Sequence, residues 1–301
     1  MKDSISTANI KNFNKNFKSN PTNKISRNAL TRSQIDNIAM DWDAYRMVDH
    51  TYSDVVSNEM KKVTNQKASG RCWGFAGLNL MRISLAEKYN LADFEFSQNY
   101  FMFFDKLEKS NYFLENILKT LDESYDSRLM MHLLDSPVQD GGQWDMFVNL
   151  IEKYGVVPQS VMAESFQSSQ SRMMNQFLTR KLREFAWTLR SMNDKGKKLS
   201  DLRKEKENMM SIVYTMLCIC LGDPPTNFDW QTRDKKNKFI RKTNLTPQDF
   251  YKKHCNINLK DKVCLIHAPM SNKKMNELYT VSYLGNVVGG QIIKYANVEL
   301  D

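Results

Sequence analysis

Apolar residues recur at helical spacing through most of the chain and at alternating spacing only near its end. Trp73, Ala76, Leu80 and Ile83 fall on one face of a segment that predicts a helix from Cys72 toward Tyr89, ending at Asn90, a tolerable C-terminal cap. A second helix is predicted to start near Ser97, with Tyr100, Phe101, Phe104 and Leu107 at helical spacing as core rather than as a ligand box. A third runs through Met146, Leu150 and Ile151 and is stopped by Gly155 and Pro158. From about Ser165 to Leu221 the chain is rich in Met, Lys, Arg and Leu, with the period repeating over Met173 to Leu189 and Leu202 to Leu221. It breaks at Gly222-Asp-Pro-Pro225. Asp229-Trp230 then suggests a short strand before a basic turn at Arg233 to Lys238, and Thr246-Pro-Gln-Asp249 opens a helix to about His254. Val263 to Ile266 and Leu278 to Tyr283 read as strands. Before about Met60 the chain is polar, with limited helical patterning around Thr31 to Asp41.

Helices followed by strands predict an α+β fold, and 301 residues suffice for a large core. No apolar run reaches the roughly 18 to 20 residues of a membrane helix, so no membrane association is expected. The N-terminus lacks an apolar signal region. From Met1 to Ser33 the cations Lys2, Lys11, Lys15, Lys18, Lys24, Arg27 and Arg32 face only Asp3, which predicts a disordered or extended basic arm. A net charge of +9 adds non-specific attraction to anionic surfaces, including weak nucleic-acid binding. Aromatics are not interleaved with the basic clusters, so a dedicated nucleic-acid face is not indicated.

The candidate chemistry lies in Val63-Thr-Asn-Gln-Lys-Ala-Ser-Gly-Arg-Cys-Trp-Gly-Phe-Ala76. Cys72 follows a flexible turn and opens a helix, where unpaired N–H groups and the positive end of the macrodipole favour thiolate over thiol. The adjacent Arg71 is expected to push the same way. Six residues upstream, Gln66 can donate an amide hydrogen bond to the oxyanion formed when sulfur attacks a carbonyl. Downstream, Gly141-Gly142 reads either as a turn needing positive φ or as a backbone edge that pairs with an extended substrate.

The Asn65-Gln66 pair with Gln-x5-Cys-Trp spacing resembles the papain-type cysteine peptidases, and Asn-Gln-Lys-Ala-Ser-Gly-Arg-Cys-Trp73 resembles their bleomycin hydrolase and aminopeptidase C branch. Phe94 to Phe101, Asp105 to Glu108, Asn111 to Glu115, Asp140-Gly-Gly-Gln-Trp-Asp-Met146 and Glu152 to Pro158 are similar to that branch. So are Cys218 to Pro225, Leu278 to Val281 and Val287 to Gly290, making the resemblance nearly continuous from about Val63 onward.

The resemblance implies a papain-like cysteine peptidase fold with a helical insertion and an incomplete second lobe. The expected segments are a basic arm over 1–60, a first, helical lobe with the nucleophile helix over 61–164, a mainly helical insertion over 165–262 and the start of the β-rich lobe over 263–301. It implies aminopeptidase-type hydrolysis of peptide or aminoacyl-amide substrates through a thioester acyl-enzyme, with Cys72 as nucleophile, Gln66 as oxyanion donor and Gly141-Gly142 as substrate edge. It also implies a homohexamer, and the functional reading of the glycines comes ahead of the turn. In secreted relatives a disulfide joins the positions of Ser69 and of Gln139 or Asp140; both halves are absent here, which with five cysteines points to a reducing cytoplasm. No cofactor is implied, and metal is disfavoured for Cys218, Cys220, His254, Cys255, Cys264 and His267, which lack zinc-site spacing.

The family's catalytic His and its Asn, within an Asn-Ser-Trp-Gly-like string, have no counterpart. Papain spacing, roughly 130–150 residues past the cysteine, falls near Asp201 to Gly222, where no His occurs. His50, His132, His254 and His267 read as surface or structural. The expectation is therefore a C-terminally truncated member, the alternative being an inactive fragment that retains binding or assembly surfaces.

Overall fold

The computed structural model describes residues 4–49, 51–53, 62–255 and 257–300, in two compact units, Met1–Ser57 and Asn58–Asp301. His50 and the 60/61 boundary lie outside the described residues.

The first unit corrects the expectation of an extended arm. It holds helices α1 (Thr7–Ser19), α2 (Pro21–Leu30), α3 (Ile35–Ala39) and α4 (Trp42–Met47). Their local signals are caps: Ser6 and Asn9 form a reciprocal capping box, and Asn20 caps α2 with Pro21 at its first position. None of the four helices buries a residue, and Ile10, Phe13 and Phe17 stay exposed on α1.

In the second unit, α5 (Cys72–Tyr89) ends as expected at Asn90 in the left-handed region. The side chain of Ser97 accepts from the Tyr100 N–H and starts α6 (Gln98–Lys119). Next come α7 (Arg128–Asp135), α8 (Trp144–Tyr154), α9 (Phe166–Ser169), α10 (Arg172–Asp194) and α11 (Leu199–Leu221). Helix α6 is central, packed against α5, α8, α10 and α11, and buried almost all round. Its inward residues therefore include charges as well as Tyr100, Phe101 and Phe103.

The buried face of α5 is not the expected stripe. Phe75, Leu78, Met81 and Leu85 are in the core, whereas Ala76 and Leu80 are exposed and Trp73 is half-buried. Gly74 and Gly77 decide this: a Cβ there would lie 2.4 Å from the Phe101 ring and 2.5 Å from the Phe147 ring. The aromatic rings of α6 and α8 thus sit directly on the backbone of α5, and the Trp73 face turns outward.

Strands β1 (Phe228–Arg233) and β2 (Phe239–Leu245) form an antiparallel hairpin around the basic turn. Thr246 caps α12 (Pro247–Phe250), which continues as a π-helical turn through Tyr251–Cys255. Strands β3 (Cys264–Ile266), β4 (Glu277–Tyr279) and β5 (Tyr295–Asn297) form a small sheet of order β3-β5-β4, with β3 and β5 parallel. β4 is shorter than expected because it pairs with only the three residues of β5, and the chain turns beyond it, with Tyr283 at φ +60°. Helix α8 holds the segment before β5. The Asn149 side chain bonds both the N–H and C=O of Gln291, Asp145 accepts from the Lys294 N–H, and Asn286 donates to the Met146 carbonyl. Residues of the expected lobe and insertion share one core, which includes Phe103, Phe147, Leu178 and Val213.

Candidate active site

Cys72 is exposed at the first position of α5, with Arg71 as the residue before it. The loop leading in is closed on itself. Gln66 Nε2 donates to the Ser69 carbonyl at 2.6 Å, Ser69 Oγ donates to the Gln66 carbonyl at 2.7 Å, and Arg71 Nε donates to Ser69 Oγ at 2.9 Å. One amide hydrogen of Gln66 is thus used to shape the turn, leaving the other for a ligand. Ala68 is tied to a second segment by its N–H to the Ser169 carbonyl.

Arg71 does not act as a free cation beside the thiol, as the sequence suggests. It is 2% exposed and forms a two-pronged pair with Glu164 at 2.9 and 2.7 Å. Its charge is balanced 93 positions away in sequence, and its role is to fasten the loop. The helix start remains the electrostatic feature next to Cys72.

Asp140 joins this loop to the glycine edge. Its carboxylate accepts from the Gly70 N–H at 2.9 Å, Ser171 Oγ at 2.6 Å, Asn175 Nδ2 at 2.7 Å and Lys106 Nζ at 2.6 Å, while its carbonyl accepts from Trp73 Nε1 at 2.7 Å. Burial pushes this carboxyl up, but the Lys106 ammonium and the bonds from Lys106, Ser171 and Gly70 outweigh it and hold the group well below the usual carboxylate range. Lys106 is itself fully buried and also donates to the Val138 carbonyl at 2.7 Å. One turn along α6, Lys109 donates to Asp105 at 2.8 Å and to the carbonyls of Gln139 at 2.8 Å and Gly141 at 2.7 Å. Burial pushes Lys109 down to about 8 against the pull of Asp105, whose own carboxyl is pushed up by burial. The nucleophile loop and the glycine edge are thus joined through Asp140, and the two buried lysines fasten the edge side of that link to α6.

Neither edge glycine has positive φ, so the turn reading fails. A Cβ on Gly142 would lie 2.5 Å from the Trp73 ring, whereas one on Gly141 would meet nothing within 4 Å. Gly142 permits the close approach and Gly141 faces open space. The outward face of α5 and this edge line a cleft of about 350 Å³, walled by Trp73, Ala76, Leu80, Gly142, Trp144 and Phe147. Trp144 stacks on Phe147 and donates to the Lys262 carbonyl at 3.2 Å.

No described histidine hydrogen-bonds Cys72. His254 pairs with the Tyr89 hydroxyl, at the far end of α5 and about 25 Å from Cys72 at 1.5 Å per residue. It is buried, and desolvation together with Lys88, Lys242 and Lys253 holds its pKa below the ordinary value. His267 bonds the Val298 carbonyl at 3.0 Å and His132 is exposed on α7. Sequence reasoning missed Lys106, Lys109, Glu164, Ser171 and Asn175. In the sequence Asp105 to Glu108 reads only as a family-like string, and its signal is a run of charges on a helix whose other faces are aromatic.

The chain matches the model of the Peptidase C1-like family over residues 4–301. It is 43% identical to Aminopeptidase C of Listeria monocytogenes over 301 residues, covering 100% of this chain and 67% of that protein. It is 39% identical to Bleomycin hydrolase of Homo sapiens over 287 residues, 94% of this chain and 63% of that protein. The crystal structure of PepW from Lactobacillus rhamnosis superposes with a TM-score of 0.93 at 42% identity, covering 100% of this chain and 67% of that one. The chain thus spans about two thirds of the length of the relatives it matches.

Proposed function

The chain belongs to the Peptidase C1-like family, and from that membership we propose that it is a cysteine-type aminopeptidase of bleomycin hydrolase type, acting on peptide or aminoacyl-amide bonds. Cys72 sulfur attacks the carbonyl carbon of the bond to be cleaved. The oxyanion that forms accepts from the second amide hydrogen of Gln66 and from the Cys72 N–H, one of the unpartnered donors at a helix start. Collapse expels the amine, which leaves with the proton given up by the thiol, and forms a thioester on Cys72; water then adds to the thioester, releasing the acid and restoring the thiol. Gly141 and Gly142 carry the extended substrate by backbone pairing beside the nucleophile. A general base is the part of the constellation that the described residues do not bring to Cys72.

The observation that carries this reading is the single carboxylate of Asp140 holding both the nucleophile loop, at Gly70, and the strand of chain that ends in the edge. In the same reading, residues 61–164 supply the nucleophile lobe, 165–262 the insertion and 263–301 the opening of the β-rich lobe. The five cysteines, none paired in a disulfide, support a reducing cytoplasm. A homohexameric assembly follows from the resemblance, and the charge of +9 supports weak nucleic-acid binding. No helix among the described residues is long and apolar enough to cross a membrane.

The test is hydrolysis of an aminoacyl-amide reporter by the purified chain. Turnover that disappears with Cys72→Ala supports the proposal. Slow alkylation of Cys72 with no turnover favours a binding or assembly role instead.

A further inference from the structure

Beside the Asp140 hub lies an open groove of about 700 Å³ whose charge the peptidase reading does not use. Its floor is the outward face of α10, with Arg172, Asn175, Gln176, Arg180 and Arg183 at positions that share a helix face. Gln139, whose carbonyl is held by Lys109, and Asn175, which bonds Asp140, also line it, so the groove adjoins the Gly141-Gly142 edge.

The three guanidinium groups are not equivalent. Arg183 is engaged, donating to the carbonyls of Leu134 and Asp135 at 2.7 Å each and closing the end of α7. Arg172 and Arg180 are exposed, and neither has an ion pair among the described residues. Arg172 is also placed against the local rule. It occupies the first position of α10, where the macrodipole repels a cation, and the first turn holds no acidic residue to offset it. Departures from local preference of this kind concentrate at functional sites.

We propose that this groove is an anion subsite that takes carboxylate side chains of an acidic peptide lying across the Gly141-Gly142 edge. The proposal rests on the peptidase reading and names a substrate preference for it. Guanidinium forks match carboxylates in a two-pronged geometry. Arg172 and Arg180 are eight residues apart on one helix, about 12 Å, which an extended peptide spans in about four residues. The groove lining holds no aromatic side chain on which a base could stack. Peptide is therefore favoured over nucleic acid.

The experiment measures binding of two fluorescent peptides to the full chain carrying Cys72→Ala, at low salt. One peptide has two Glu four residues apart, and the other has Gln at both places. The Glu peptide is expected to bind about tenfold more tightly. Arg172→Gln with Arg180→Gln is expected to equalise the two, with the thermal melt unchanged or slightly raised, because both side chains are exposed and Arg172 opposes the helix dipole. Lys236→Gln with Lys238→Gln, in the remote hairpin turn, is expected to leave the preference intact. Equal binding of both peptides by the parent chain overturns the proposal. So does a preference that survives loss of the two arginines, or that falls equally in the hairpin variant. A single-stranded oligonucleotide that displaces the Glu peptide and depends on the same arginines reassigns the groove and overturns it as well. Turnover by the unsubstituted chain is scored separately, so its failure counts against the peptidase reading without bearing on the groove.

Discussion

Replacing Asp140 by asparagine keeps the shape of the side chain and removes the charge on which two loops converge. In the wild type one oxygen faces Lys106 Nζ and Asn175 Nδ2, and the other faces the Gly70 N–H and Ser171 Oγ. An asparagine must turn its NH2 toward one pair of donors. Ser171 and Asn175 can reverse roles, but the Gly70 N–H and the Lys106 ammonium cannot. With the NH2 turned toward it, Lys106, which has no exposed surface, keeps the Val138 carbonyl as an acceptor but loses its paired carboxylate, a loss of about 3–5 kcal/mol. For a domain of this size that lowers Tm by on the order of 10 °C. The pH dependence has a fixed sign. A carboxyl depressed in the folded state contributes fully above its unfolded value of about 4, and that contribution fades as pH falls toward the depressed value. The gap between wild type and Asp140→Asn is therefore constant through neutral pH and narrows in acid. Adding Lys106→Met should recover part of the loss, because the unpaired buried charge is gone. Calorimetric or circular-dichroism melts across pH measure all of this. A deficit below about 1 kcal/mol at neutral pH, or one that persists undiminished into strong acid, would refute the hub.

Gly142→Ala forces a Cβ to within 2.5 Å of the Trp73 ring and should cost about 1–3 kcal/mol in the melt, whereas Gly141→Ala should stay within about 0.5 kcal/mol while raising KM for peptide. Arg71→Gln should destabilise by about 2 kcal/mol, less than a fully buried pair because Glu164 keeps some solvent and the Ser168 hydroxyl; Glu164→Gln with Arg71→Gln should be clearly less than additive in denaturant titrations. Lys109 sits at about 8 when folded and near 10.4 when unfolded, so between those values the unfolded chain binds more protons and this group makes stability rise with pH. Lys109→Met should lack that alkaline rise; an identical slope in both proteins would remove the assigned burial.

The helix ends were readable because their causes are local. Asn90 and Ser97 are capping residues at the places where the apolar period stops and starts, and Thr246 with Pro247 marks a helix start in the same way. The orientation of α5 was not readable. It depends on the Phe101 and Phe147 rings meeting Gly74 and Gly77, contacts between residues far apart in the chain, and a periodic apolar stripe cannot tell an inward face from one lining a cleft. The nucleophile position was carried by a short motif, but its supports were not. Lys106 and Lys109 lie in a charged run that reads as a solvated face, and only the burial of α6 on every side turns them into loop anchors. Arg71 shows the same limit, since its partner Glu164 is distant in sequence. Helices α1 and α2 are not legible from periodicity because their apolar positions bury nothing, leaving capping as their signal.

The central claim is that Cys72 is a nucleophile served by a substrate edge, which differs from being an exposed thiol. The most direct measurement is the rate and site of alkylation by a peptidyl epoxide compared with iodoacetamide, read by peptide mapping. A single adduct on Cys72 is expected, with an advantage of the peptidyl reagent over its reaction with free cysteine that is lost in Gln66→Ala. Cys255, buried and with its thiol pushed up by that burial, should stay unlabelled until the chain unfolds. Adducts spread over Cys218, Cys220 and Cys264, or a peptidyl reagent no faster at Cys72 than at free cysteine, would contradict it.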